Sequence, residues 1–218
     1  MVSPSPDELA LEDLIGRLIP SEIIPDVGYR IVWRLGEGAM SVVFYALRVT
    51  AEGELPVVMK VLRPSFVELE GETAALIVKK ESIALGRLNE RVPPTPFVVR
   101  FIDTSTLPVG YHGREVIVPW LVVEYVHGGA EGTTLSERVE HSLRTTGAGF
   151  DPARAAHALD CLADGLVAVH EVGVIHRQLT TESILGSTYL GDDAWSTAVQ
   201  AELTKAKLTD DDLKIGVA

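Results

Sequence analysis

Between Tyr29 and Leu62 the chain runs through three short β-rich segments, residues 30–35, 41–49 and 56–62, separated only by glycine-containing breaks. Breaks this short leave no room for the crossover that a parallel pair needs, so the segments are expected as three consecutive antiparallel strands. A helical pattern follows over residues 71–88, with Ile77, Glu81, Ala84 and Leu88 on one face, and Pro93, Pro94 and Pro96 end it. Two more apolar runs, residues 97–102 and 116–125, complete an expected five-stranded sheet. Two charges are out of place in this pattern: Lys60 on an apolar strand and Glu81 on an apolar helix face. Each is expensive to bury alone and tolerable when paired; at about 4 Å and an effective dielectric near 20 the attraction is on the order of 4 kcal/mol before desolvation.

Beyond Gly128 and Gly129 the chain turns mainly helical. Asp151 caps a helix with Pro152 at its first position, Leu159, Leu162, Ala163, Leu166 and His170 are expected on its buried stripe, and Gly173 stops it. At the other end of the chain, Ser5, Pro6 and Glu8 form a capping-box signature. Leu11, Leu14, Ile15, Leu18 and Ile19 follow on one helical stripe, so a leading helix is expected to run to Pro20. It either packs on its own lobe or docks a partner. A further Asp-capped helical pattern, residues 191–206, carries Trp195, Ala198, Val199 and Ala206 on one side.

The 218 residues, 46% of them hydrophobic, suffice for one large domain or two small lobes. With 31 acidic against 19 basic residues the formal net charge is -12 at pH 7, which argues against a nucleic-acid groove or an anionic membrane surface. The single cysteine, Cys161, excludes an internal disulfide framework, and its apolar helical neighbours mark it as core filler. The first residues lack a basic secretory n-region, and no apolar run approaches the roughly 20 residues of a membrane span, so a cytoplasmic location is expected. The six histidines have no metal-ligand spacing.

Four motifs carry chemistry. Residues 35–44, Leu-Gly-Glu-Gly-Ala-Met-Ser-Val-Val-Phe, contain two glycines that let backbone N–H groups approach phosphate oxygens with no Cβ in the way. Alone, such a loop reads first as an ordinary hairpin turn. Val57-Val58-Met59-Lys60 follows on the next-but-one strand, Leu121-Val122-Val123-Glu124-Tyr125-Val126 forms an apolar run before the helical half, and His176-Arg177-Gln178-Leu179-Thr180-Thr181-Glu182-Ser183-Ile184-Leu185 follows the long helix. In this order, with Glu81 between the second and third, the motifs resemble the glycine-rich loop, V-A-I-K strand, hinge and H-R-D-L-x-x-x-N loop of the protein kinase superfamily. Bacterial-type serine/threonine kinases are the nearest pattern. The resemblance covers residues 29 to about 185.

It implies an α+β, two-lobed kinase-like fold: an N-terminal helix and linker over residues 1–28, an N-lobe and hinge over 29–126, and a partial, mainly helical C-lobe over 127–218 with the 191–206 helix as an insertion. Gly36, Gly38 and Ser41, the last in place of the third glycine, would cover the phosphates of ATP. Lys60 would hold the α and β phosphates and pair with Glu81. Val43 and Val58 would roof the adenine, Leu185 would floor it, and Glu124 C=O and Val126 N–H would meet its edge, with Val123 as gatekeeper. Val58 stands where the family has alanine, and overpacking a tight slot costs about 1–3 kcal/mol.

The same resemblance shows what is missing. Gln178 replaces the aspartate that receives the substrate proton, Ser183 replaces the asparagine that holds magnesium, and Thr180 replaces the usual lysine. Loss of a general base lowers rates by about 10² to 10⁴. Lys207-Leu208-Thr209-Asp210-Asp211-Asp212 resembles K-L-x-D-F-G without its Phe and Gly, leaving Asp210 as a candidate magnesium ligand; an acidic turn, or a register with residues 213–215 as the strand, reads the same residues without one. The sequence ends at Ala218, before an activation segment, so the apolar face of the residue 151–173 helix is expected to be covered by a protein partner, by an alternative cap, or by further residues of a longer chain. The function implied is a pseudokinase regulatory or signalling scaffold that binds ATP weakly or not at all, with doubtful magnesium dependence, no efficient phosphoryl transfer, and no nucleic-acid or membrane partner. A weakly active serine/threonine kinase and a pure interaction domain with a filled pocket are the alternatives.

Overall fold

Period-two alternation sends Val42, Phe44 and Ala46 to one face of a strand and Val43 and Tyr45 to the other, and the chain pairs to bury the first set. The computed structural model describes residues 5–92, 95–176 and 179–186. In it β1 (Leu18–Pro20), β2 (Gly28–Glu37), β3 (Ser41–Thr50), β4 (Gly53–Leu62), β5 (Phe101–Tyr111) and β6 (Arg114–Glu124) make one antiparallel sheet in the order β1-β2-β3-β4-β6-β5. Helices α1 (Pro6–Glu12), α2 (Pro64–Glu70), α3 (Glu72–Asn89), α4 (Leu135–Thr146) and α5 (Pro152–Glu171) complete the described elements with a 3-10 turn at Gly129–Glu131. The insertion expected over 191–206 lies outside the described residues.

Chain contacts group into two compact units, one holding the residues up to Ile83 with Phe101–Tyr125, the other holding Ala84–Arg100 with the described residues from Val126 on. In the first unit the sheet curls until Tyr29 on β2 meets Trp120 on β6 edge-to-face, ring centroids 5.6 Å apart. The core so enclosed includes Ile31, Phe44, Met59 and Val122, each at most 1% exposed. Full burial of one such side chain stabilises by about 1.5–3 kcal/mol. Asp103, 1% exposed on β5, is made tolerable there by donors: Ser21 Oγ at 2.6 Å, Tyr29 Oη at 2.9 Å and Thr104 N–H at 2.8 Å. Burial first, and then the Asp103 charge, push the Tyr29 hydroxyl well above its ordinary pKa.

Three sequence expectations are corrected here. The leading helix does not reach Pro20: α1 stops at Glu12, and residues 18–20 pair with β2 as a sixth strand. Once the N–H of Gly16 finds Ile31 C=O (2.7 Å) and Ile31 N–H finds Arg17 C=O (3.1 Å), the sheet edge satisfies backbone groups that a continued helix would have to satisfy itself. Leu11 and Leu14 are buried in the core of this unit, so α1 packs on its own lobe. The penultimate strand begins at Phe101 rather than at residue 97 and runs to a two-residue hairpin turn, His112 (φ 49°) and Gly113 (φ 75°), the pair of positive values that a type I′ turn requires. Pro108 sits within this strand, which only an edge position tolerates. Finally, α2, a short helix ahead of α3, was not foreseen.

In the second unit Thr134 and Glu137 close a capping box on α4, and Asp151 caps α5 through Arg154 N–H at 3.0 Å. Gly165 lets α5 approach Phe97 closely, since a Cβ there would stand 3.1 Å from both Phe97 Cβ and its carbonyl oxygen. The face of α5 that this contact selects is rotated from the expected stripe. Gly165, Ala168 and Val169 are buried, whereas Leu159 is 64% exposed and His170 is exposed too. Cys161 is accordingly half-buried, 3.8 Å from His157 Nε2, and not core filler. Among the described residues no helix is long and apolar enough to cross a membrane.

Candidate functional site

The face of the sheet opposite the core gathers most of the residues singled out in the first half of the chain. Cross-strand pairing places Val43, Lys60 and Leu121 in one row across β3, β4 and β6, and Tyr45, Val58 and Val123 in the next. Val43 and Val58 are both half-buried, on adjacent strands that run about 4.8 Å apart. Glu124 ends β6 opposite Val57, and Val126 lies in the extended segment that follows. The glycine-containing stretch is the β2–β3 hairpin, in which Gly38 N–H donates to Ser41 C=O at 2.8 Å; Gly36 pairs with Val43, and Ser41 is 6% exposed.

Lys60 on β4 and Glu81 on α3 form the ion pair expected of them. The ammonium donates to both carboxylate oxygens, 3.0 Å to Oε1 and 2.9 Å to Oε2. Their side chains are 31% and 36% exposed, which corrects the expectation of burial. At that exposure water screens the attraction, and the pair is worth about 0.2–1 kcal/mol. Its role is therefore orientation: it holds an ammonium on the same face as Val43 and Val58.

A feature that motif reading missed lies beside the valines. Tyr45 is 1% exposed, stacked on Trp33 with ring centroids 3.9 Å apart and planes 7° from parallel, and met edge-on by Tyr125 at 5.0 Å. The signal was available, because Tyr45 is two residues from Val43 and must share its face.

The second unit tells a different story. Ser183, expected from sequence in the position of the magnesium-holding asparagine, turns its hydroxyl onto its own loop: Oγ accepts from Thr180 N–H at 3.0 Å and donates to Thr180 C=O at 2.9 Å. Ser183 N–H donates to the same carbonyl at 3.1 Å. The hydroxyl's one donor and one of its two acceptor lone pairs are thus used within the loop. Leu185 bridges to Thr134 and is 42% exposed. The whole stretch is tied to the start of α4, with Leu135 N–H donating to Ile184 C=O and Gly186 N–H to Thr133 C=O, each at 2.8 Å. Arg138 adds bonds to the carbonyls of Gly128, Gly132 and Gly186. Glu182 is held below the usual carboxylate range by its own backbone N–H and by the Thr180 and Thr181 hydroxyls. Gln178 and Asp210 lie outside the described residues. Among those described, no cluster of three or more His, Cys, Asp or Glu side chains is arranged to hold a metal ion.

The fold has a counterpart in solved structures. The chain has the protein kinase fold: it superposes on the crystal structure of the Mycobacterium tuberculosis PknI kinase domain with a TM-score of 0.51 at 19% identity, covering 75% of this chain and 57% of that one. A second crystal structure of that domain gives 0.50, again at 19% identity, over 72% and 53%. In sequence the chain is 30% identical over 167 residues to the serine/threonine-protein kinase pkn2 of Myxococcus xanthus, 77% of this chain and 17% of the relative. It is 27% identical over 170 residues to the probable serine/threonine-protein kinase PkwA of Thermomonospora curvata, 72% of this chain and 18% of the relative. The chain thus spans less than a fifth of the length of the curated relatives it matches. No family model matches it. It is a kinase-related domain that resembles bacterial serine/threonine kinases.

Proposed function

We propose that this chain is a pseudokinase module, which binds ATP weakly, transfers phosphate poorly or not at all, and acts by regulating or scaffolding a protein partner. The observation that carries the reading is the contrast between Lys60, held by Glu81 to present an ammonium, and Ser183, whose hydroxyl both donates to and accepts from Thr180. The residues present fit the phosphates of a nucleotide. Magnesium dependence is expected to be weak: the Ser183 hydroxyl, already donating to and accepting from Thr180, is a poor replacement for an amide oxygen, and Asp210 is left as the candidate carboxylate ligand. Gln178 adds that no side chain at the base position titrates near neutral pH.

Melting curves with ATP, with and without EDTA, test the binding half of the proposal. A ligand at 100 times its Kd stabilises by roughly 2.7 kcal/mol. A shift that survives EDTA and disappears in Lys60→Met is expected; strict magnesium dependence would contradict the assignment of Ser183. Radiolabel transfer to a generic protein substrate tests the other half, and robust Lys60-dependent transfer would promote the weakly active kinase instead. The buried Tyr45 beside Val58 favours a second reading, an interaction domain whose adenine slot is filled by side chains. Under that reading no nucleotide shifts the melt until Val58→Ala and Tyr45→Leu are made together.

A further inference from the structure

The glycine-containing hairpin is held by a residue outside any kinase motif. Arg63, immediately after β4 and 14% exposed in its side chain, donates through Nε to Gly38 C=O at 2.9 Å and through its backbone N–H to Met40 C=O, also at 2.9 Å. Its guanidinium also pairs with the Glu37 carboxylate. One residue thus fixes two carbonyls and one side chain of a loop whose glycines would otherwise leave it free. Glu37 is shared with a second guanidinium, Arg34 NH2 at 2.5 Å.

Both arginines are braced from α1. Asp7, 8% exposed, lies 4.0 Å from Arg63 NH1, and its Oδ1 accepts from Ser65 N–H at 2.9 Å. It thereby serves as the N-cap that α2 lacks, since Arg63 at that helix's own cap position offers no side-chain acceptor. Glu8 Oε1 reaches Arg34 NH1 at 3.5 Å while its Oε2 closes the capping box on Ser5 N–H at 2.6 Å. The charges alternate in one connected line, Asp7–Arg63–Glu37–Arg34–Glu8, which begins and ends on α1 and has the loop glutamate at its middle. A connected network orders its side chains once and shares that ordering among its pairs, unlike isolated surface pairs.

We propose that Arg63 is a positioning residue for the glycine-containing loop, and that α1 sets the conformational freedom of that loop through Asp7 and Glu8. The claim goes beyond nucleotide binding and does not depend on it, so the test is made on the full chain without nucleotide. Amide hydrogen exchange is followed at Gly38, Met40 and Val42, with Val118, Trp120 and Val122 on β6 as the reference. Arg63→Ala is expected to speed loop exchange about tenfold, the size of one lost charge-assisted hydrogen bond, with the β6 amides unchanged. Glu8→Gln is expected to speed it about threefold, and to add nothing in an Arg34→Ala background, because the two residues act in one line. Loop exchange unmoved by both Asp7→Asn and Glu8→Gln would overturn the role of α1. Acceleration of the β6 amides in parallel with the loop would overturn the positioning role, since the substitutions would then act through global stability.

Discussion

The two units differ in how much of their structure is secured by burial. In the first, the sheet encloses a core from Leu11 to Val122, and the ion pair of Lys60 and Glu81 stands on its back face. In the second, the described apolar cluster centres on Leu88, Ala168 and Val169, while the catalytic-loop stretch is held by backbone bonds to α4 and by Ser183 folding onto Thr180. The difference teaches that a well-packed lobe preserves the geometry of its polar residues. A loop held by local hydrogen bonds rests on its own polar groups instead.

The contrast is broken most directly through the cores. Trp120→Ala should cost about 3–5 kcal/mol in urea unfolding, because it empties the middle of the first unit. Val169→Ala should cost about 1.5 kcal/mol at roughly 0.8 kcal/mol per methyl-sized group; equal costs would erase the distinction. A smaller effect sharpens it from the polar side. Without nucleotide, Lys60→Met and Glu81→Gln should each change stability by less than about 1 kcal/mol, since both partners are about one-third exposed. A loss of 3 kcal/mol or more, of the order of a broken buried pair, would show the ion pair to be structural. In the second unit Ser183→Ala should cost about 1 kcal/mol by removing the hydroxyl's bonds to Thr180. Gln178→Asp alone should still give no efficient phosphate transfer in the radiolabel assay, because Thr180 and Ser183 remain changed and such residues act as a set.

The smallest effect treats the units alike. Among the described residues each has one capping box, and each box glutamate titrates below its usual value: Glu8 through Ser5 N–H first, Glu137 through Thr134 N–H first. A carboxyl with a depressed folded pKa contributes stability that is present above its unfolded value of 4.5 and is lost as pH falls through the folded value. Both helices should therefore weaken only below about pH 4.5, and Glu8→Gln or Glu137→Gln should flatten that acid limb in melting curves.

Much of the first unit was legible because its signals are local. Strands β2 to β4 follow alternation and glycine breaks, and Lys60 and Glu81 were conspicuous as charges on apolar faces. What escaped depends on partners distant in sequence. Residues 18–20 look helical until the edge of β2 offers them better hydrogen bonds, and the face of α5 is chosen by Phe97 against Gly165. Pro108 and Gly110 disguise β5, which is tolerated only at a sheet edge. Arg63 carries no local signal at all, since its meaning lies in Glu37 and Asp7. Of the catalytic-loop positions, Thr180 and Ser183 were readable as substitutions, but the self-capping of Ser183 required the fold of the turn.

The place of α1 has a practical consequence for where this domain can be cut. Residues 1–28 look dispensable beside a kinase pattern that opens at Tyr29. A fragment starting there would lose Leu11 and Leu14, about 3–6 kcal/mol of burial, together with the acceptor that caps α2, worth about 1 kcal/mol more. Against the 5–15 kcal/mol that holds a typical domain folded, that is the margin between a soluble fragment and inclusion bodies. A fragment that keeps this fold should therefore include α1 from its N-cap Ser5, ahead of the pattern by which the domain is found.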